Sequence, residues 1–478
     1  MIRRLAACIL AAVLALTLLP GAALAGGDEG DEYIRLPTGV TEDMLTPEYW
    51  IGTGIQASRA AKPVMSAQEI SRFNRDISAM ISAMISVGEE HCALTDIPDS
   101  IPGSVVRAII ESHAVPKNAG ALYINGSPSN ADYWTALASQ RALDAIQDTV
   151  SVRFGYSVRR AQLRLFPTDD FAGVSENERL YDKLVMSELM PYLPLAVLHE
   201  SADGEWCYVM LYGFGGWTRK ENVALCPGRA DWLDRMEAED FLVVTGRELR
   251  LPQEPYSPQT SALSLPMGTK LPLVKAADAP QTVNRRKSYG CYVVKLPVRG
   301  DGGAIADEYA LIPVSENVSR GYLPYTRENE LRLAFELLGD RYGWAGMYGA
   351  NDCSGIIHEI FACFGFCLPR TAEAIMAIQG FGGTELQDKT DAQKLRALAA
   401  LPAGTLLGFP GHIMLYLGTR GGRAYVISAA GSFASDDAFD GDYSVNGVSV
   451  NSLADTRRRS GLTWLESLTG ALTCAAED

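Results

Sequence analysis

A cysteine and a histidine are the side chains whose surroundings in this sequence permit nucleophilic chemistry. A polar, glycine-rich approach runs from Gly339 through Tyr342, Gly343, Trp344 and Gly346, then reaches Asn351, Asp352, Cys353, Ser354 and Gly355. After Cys353 the apolar positions Ile356, Ile357, Ile360, Phe361 and Phe364 recur at three- and four-residue steps, which is helical spacing with one buried stripe. Asp352 stands where an N-cap belongs, so Cys353 falls in the first turn of a buried helix. Free N–H groups and the positive end of the helix dipole favour a thiolate there. A thiolate is the nucleophile of acyl transfer.

A nucleophile needs a proton carrier, and the chain has five histidines: His91, His113, His199, His358 and His412. His358 lies on the same helix as Cys353, about 140° round the axis, and cannot easily reach the sulfur. His199 reads as structural, at a strand end. His412 follows Pro410-Gly411 and opens the apolar run Ile413 to Leu417, a strand that starts at the histidine. The order is cysteine on a helix, then histidine on a strand.

These residues carry a resemblance. Asp352-Cys353-Ser354-Gly355, the upstream Tyr342-Gly343-Trp344, Leu368-Pro369-Arg370 after the helix, and Gly411-His412-Ile413 running to Leu415-Tyr416-Leu417-Gly418 resemble the NlpC family. The likeness covers Thr326 to about Leu472. It implies a papain-like cysteine peptidase acting on peptidoglycan stem peptides. It also implies that Tyr342 assists the oxyanion and that Trp344 lines the cleft. Asp352, Ser354, Arg370 and Thr371 would meet the substrate, although Ala372 stands where relatives carry a hydroxyl. Relatives place His, Asn or Gln as the third catalytic member, beside the imidazole. Pairing the His412 strand with Arg423 to Ser428 across a four- or five-residue loop sets His412 opposite Ser428 or Ala429. This chain therefore offers Ser428, a shorter group that holds the ring less firmly.

The elements ahead of that site divide the chain, whose 478 residues exceed one core. Residues 1–25 read as a signal peptide, with Arg3 and Arg4, an apolar run, and a small-residue site at Ala23-Leu24-Ala25. Residues 26–44 read as a flexible, acidic leader and 45–149 as a mostly helical N-terminal stabilising segment, with a capping box at Ser66 and Glu69. Residues 150–230 and 240–325 carry short β-rich runs separated by turns, the texture of two small barrels. They resemble the two bacterial SH3 domains of the same peptidase architecture. In relatives such a module walls the cleft and sometimes binds the stem peptide's amine; Tyr212 and Trp217 are the candidates for that here. Residues 326–478 form the catalytic domain. The expected fold is thus multidomain: an α+β papain-like C-terminal domain behind two SH3-like β-barrels and a helical N-terminal segment.

A net charge of −15 argues against a nucleic-acid partner, since nothing would favour phosphate. The basic cluster Arg457-Arg458-Arg459 reads as a solvated turn. Nine cysteines show neither metal-ligand spacing nor disulfide density, with Cys207 and Cys226 free to pair or not. No metal, cofactor or H-E-x-x-H cluster is implied, and no second segment is long enough to span a bilayer.

The expectation is an exported monomer, periplasmic or on the cell surface. It would cut the γ-D-glutamyl-L-diamino acid bond with Cys353 and His412 and take peptidoglycan or muropeptide as partner. Two rivals stand: a wall-binding protein whose site no longer turns over, and another cysteine amidase on the same fold.

Overall fold

Alternation of inward and outward side chains along three groups of strands builds three modules. We describe a computed structural model, over residues 34–85, 94–212, 214–378, 381–435 and 443–475. The signal peptide lies outside the described residues, as does most of the N-terminal part of the leader. From Pro37 onward the chain packs as one unit.

The first β module is a seven-stranded antiparallel sheet. Its strands are β1 (Arg153–Ser157), β2 (Ala161–Arg164), β3 (Val185–Leu189), β4 (Pro194–Glu200), β5 (Trp206–Leu211), β6 (Phe214–Arg219) and β7 (Val223–Leu225). They lie in the order β7-β1-β4-β5-β6-β2-β3. Alternate residues fill two cores, one with Tyr208 of β5 opposite Trp217 of β6, the other with Leu195, Val197 and Val209. The second module joins a three-stranded sheet around β8 (Phe241–Val244) to the long hairpin of β9 (Cys291–Arg299) and β10 (Ile305–Pro313). Leu242, Val244, Leu271, Val294 and Ile312 fill its core.

Among the N-terminal helices, α1 (Ala67–Ile85) begins at the expected capping box: the Glu69 N–H donates to Ser66 Oγ at 3.3 Å, and the Ser66 N–H to Glu69 Oε2 at 2.6 Å. The leader reading fails from Thr38 to Met44. Val40 and Met44 are buried in the C-terminal core, the Thr38 N–H donates to Ser435 Oγ, and Tyr425 Oη donates to the Gly39 carbonyl. Those apolar side chains are covered because they extend the hydrophobic face that the C-terminal sheet presents.

The C-terminal domain packs helices α2 (Arg327–Glu336) and α3 (Cys353–Ala362) on a six-stranded sheet. Its strands are β11 (Gly382–Glu385), β12 (Leu406–Phe409), β13 (His412–Arg420), β14 (Arg423–Ser432), β15 (Ser444–Ser452) and β16 (Gly470–Thr473), in the order β11-β16-β12-β13-β14-β15. The two faces are legible along β13. Ile413 and Leu415 share the core of α3, with Ile356, Ile357, Ile360 and Phe361, whereas Met414 and Tyr416 share a second core with Trp464. Among the described residues no helix is long and apolar enough to cross a membrane.

Candidate active site

The helix that opens with Cys353 starts where a contorted loop ends. Gly343 accepts no side chain, because a Cβ there would lie 2.2 Å from the Met347 carbonyl oxygen. Ala345, Gly346, Tyr348 and Gly349 all adopt positive φ, a costly run for non-glycine residues. A parallel bridge of Tyr342 with Asn351 closes the loop. Asp352 caps α3, its Oδ1 accepting from the Gly355 N–H at 2.7 Å, and Oδ2 accepts from the Ala345 N–H at 3.1 Å.

Arg370 completes this cluster. It donates to both Asp352 oxygens at 3.0 and 2.8 Å, to Ser354 Oγ at 2.7 Å, and to Ser187 Oγ of β3 at 2.8 Å. Burial works against the Asp352 charge, yet the Arg370 guanidinium and the capping bonds hold its carboxyl below the usual carboxylate range. The Asp352 and Ser354 side chains, expected to meet substrate, are therefore engaged within the protein. Arg370 ties the start of α3 to the first β module instead of standing free in the cleft. Thr371 caps the short helix Ala372–Met376 through Ala374 N–H at 3.2 Å.

Behind Cys353 lies a second junction. Arg160 pairs with Glu188 of β3 at 2.6 Å and donates to the Gly349 carbonyl at 2.7 Å and Asn351 Oδ1 at 3.2 Å. Glu359 of α3 is buried 3.9 Å from Arg160 and beside Asn351. Burial and the neighbouring Glu188 push its carboxyl well above the usual range.

The surroundings of Cys353 and His412 disfavour charge on both side chains. Burial first, then the Asp352 carboxylate, push the Cys353 thiol up to about 12, against the backbone N–H of Ile413 and the Arg370 charge. Burial, then Arg458, bring the His412 imidazole down to about 4. The thiolate expected from the helix start is thus outweighed by desolvation. His412 sits between Phe409 and Trp464, with ring centroids 5.3 and 5.2 Å away. Its Nε2 lies 3.3 Å from Ser428 Oγ. No hydrogen bond joins the ring to the Cys353 sulfur; the N–H groups of Ile413, the residue after the histidine, and of Ser354 face that sulfur.

The expected pairing of His412 with Ser428 or Ala429 is off by a step. Arg420 pairs with Arg423 around a tight Gly421-Gly422 turn, and an irregularity between Tyr416 and Gly418 then sets Leu415 opposite Ile427. That register carries Ser428 across from Met414, so its hydroxyl reaches the imidazole diagonally.

Tyr342 packs against the core of α3, and burial followed by the nearby Cys353 and Asp352 keep its hydroxyl protonated by pushing its pKa up. Trp344 sits against Val185 and Phe171 of the first β module, with Lys183 Nζ 5.3 Å over its ring. The amine-binding candidates do not gather here. Trp217 is fully buried in its barrel core, because its place opposite Tyr208 points it inward. Tyr212 Oη donates to the Asn74 carbonyl of α1 at 3.1 Å. In their place the module supplies Tyr181, whose ring lies 6.3 Å from Tyr342 and 5.9 Å from Trp344 and whose Oη meets Asn446 Oδ1 at 3.2 Å. Tyr181, Ser187, Glu188 and Arg160 lie 160 or more positions from Cys353 in sequence, and no local pattern marks them. The described cysteines are free, Cys207 and Cys226 included. Among the described residues no group of three or more His, Cys, Asp or Glu is placed to hold a metal ion.

Residues 171–219 match the SH3 domain family of the SH3b1 type, and residues 339–441 match the NlpC/P60 family. Dipeptidyl-peptidase 6 of Lysinibacillus sphaericus is 24% identical over 237 residues, which covers 49% of this chain and 77% of that protein. The fold is similar to that of an NlpC/P60 endopeptidase from Photobacterium damselae subsp. piscicida, with a TM-score of 0.68, 17% identity, and coverage of 92% of this chain and 98% of the other. An NlpC/P60 family protein from Bacillus cereus aligns at 18% identity and TM-score 0.45 over 68% of this chain and all of its own.

Proposed function

We propose that this chain, an NlpC/P60 peptidase with an SH3 domain, is an exported cysteine endopeptidase that cuts the γ-D-glutamyl-L-diamino acid bond of peptidoglycan stem peptides. One observation carries the reading: the strand that opens with His412 begins against the sulfur of Cys353, at the first turn of α3. We read residues 240–325 as a second SH3-like module, and residues 45–149 as the segment that braces the others.

The reaction starts from a neutral pair. As substrate enters, the imidazole turns to take the Cys353 proton, and the thiolate attacks the γ-glutamyl carbonyl carbon. The Cys353 N–H and the Tyr342 hydroxyl donate to the oxyanion. His412 then protonates the departing amine, and a water, deprotonated by the same imidazole, releases the glutamyl product from sulfur. Ser428 holds Nε2, which leaves Nδ1 for the sulfur and the leaving nitrogen. Hydrogen bonds in empty active sites are often completed only in the complex, which accommodates the missing sulfur–imidazole contact.

That missing contact, with Ser428 in the third position, also favours a rival: a wall-binding protein with an idle site. Incubation with defined stem peptides, with products sequenced by mass spectrometry, separates the two. The expected result is a single cut after D-glutamate that Cys353→Ala abolishes. Tight wall binding without cleavage by the unaltered chain would establish the rival.

A further inference from the structure

The arginine triplet 457–459 lies beside the catalytic histidine. The Arg458 N–H donates to the Leu462 carbonyl and the Gly461 N–H to the Arg458 carbonyl, both at 2.9 Å, which folds the triplet's end into a tight turn. Arg458 Cζ lies 4.6 Å over the Phe409 ring, and that ring lies 5.3 Å from the His412 ring. Arg459 Cζ lies 5.6 Å over Tyr443, and its charge acts on Tyr181, the β-module residue next to Tyr342 and Trp344. The turn therefore borders the site on the imidazole side.

Neither Arg458 nor Arg459 forms an ion pair among the described residues. Arg458 is half-buried on an aromatic face, where a guanidinium keeps its planar fork of donors presented for a carboxylate. The side of the site follows from the chemistry. The imidazole must reach both the sulfur and the departing nitrogen, so groups just beyond it flank the departing amine.

We infer that Arg458 and Arg459 form a carboxylate subsite for the leaving-group portion of the bound stem peptide. The inference rests on the peptidase reading of the site. Two carboxylates of such a substrate qualify: the C-terminal one, and one on the side chain of a diamino acid that carries it. A carboxylate bound there also cancels the charge that depresses the imidazole, so occupancy of the subsite makes His412 a better base.

The test measures binding by calorimetry to the full chain carrying Cys353→Ala, with three γ-D-glutamyl peptides. One keeps both carboxylates, one has the C-terminus amidated, and one has the side-chain carboxyl amidated. Amidating the recognised carboxylate is expected to weaken binding about tenfold, the scale of a charge-assisted contact at a partly exposed site. Which amide loses affinity identifies the source. Adding Arg458→Gln and Arg459→Gln is expected to remove the discrimination while leaving the amidated peptide's affinity within about twofold, a small change on the same scale. Arg459→Gln alone, at an exposed position, guards against a folding defect and is expected to reduce the discrimination in part. Equal binding of all three peptides, an equal loss for all three in the arginine variants, or no binding of any would overturn the subsite. Cleavage by the unaltered chain is run alongside. Selective binding without cleavage sinks the peptidase reading and leaves the subsite standing.

Discussion

The two halves of the site are held in opposite ways. On the cysteine side, Asp352, Arg370, Ser354, Ser187, Arg160 and Glu188 form a dense ionic lattice that crosses from the catalytic domain into the first β module. On the histidine side the ring lies among Phe409, Trp464 and one hydroxyl 3.3 Å away. The difference matches the roles proposed for the two side chains. A nucleophile whose backbone would also supply an oxyanion donor is best held still, whereas a proton carrier would have to swing between sulfur and leaving nitrogen. Charge-assisted bonds fix direction, whereas aromatic faces confine the ring's place without fixing its rotation.

The contrast can be broken first at Arg370. Arg370→Ala leaves the Asp352 carboxylate buried without its counter-ion, and about 3–5 kcal/mol of stability should be lost, measured by urea unfolding. Asp352→Asn in the same chain should restore part of it. A loss below 1 kcal/mol, the size of an exposed pair, would mean that the lattice does not hold the cysteine side.

Glu359 sharpens the comparison by pH. Its folded carboxyl titrates above the ordinary 4.5 because it is buried beside Glu188. The folded state therefore binds this proton more tightly than the unfolded chain. The resulting stability is complete below pH 4.5 and drains away as pH rises through the raised folded value, with a slope of at most about 1.4 kcal/mol per pH unit. Glu359→Gln, which keeps the protonated shape, should flatten that decline in unfolding free energy between pH 5 and 8. An unchanged slope would place the titration elsewhere.

Ser428→Ala is the gentlest test. Removing one hydroxyl from an imidazole already wedged between two aromatic rings should lower kcat by about tenfold or less, a fraction of what removing an orienting carboxylate does in a full triad, with unfolding free energy changed by about 1 kcal/mol at most. A loss of several orders of magnitude would show that the hydroxyl, not the rings, sets the imidazole.

Much of this was readable in the chain because it is local. The N-cap at Asp352, the stripe of Ile356 to Phe364 and the strand start at His412 are each fixed by residues within a few positions. The diagonal placement of Ser428 was not, because the turn takes only Gly421 and Gly422 in place of four or five residues, and an irregularity next to Gly418 then moves the register again. The saturation of Asp352 by Arg370 depends on an L-P-R segment folding back across the helix start. Its anchor on Ser187 depends on how two modules dock. The thiol's raised pKa depends on burial, which no helix-start argument contains.

Asn74 of α1 has a wider bearing. Its amide donates to the Gly365 carbonyl at 2.8 Å and accepts the Cys367 N–H at 2.9 Å, while its carbonyl takes the Tyr212 hydroxyl. One side chain position thus splints the N-terminal helix, the hydrolase core and the barrel, and Phe73 stacks on Phe381 at 4.1 Å beside it. Swapping barrels between such proteins, or trimming this one to a minimal hydrolase, would expose that oily seam. Recombination here has to carry the splint along with the parts it binds.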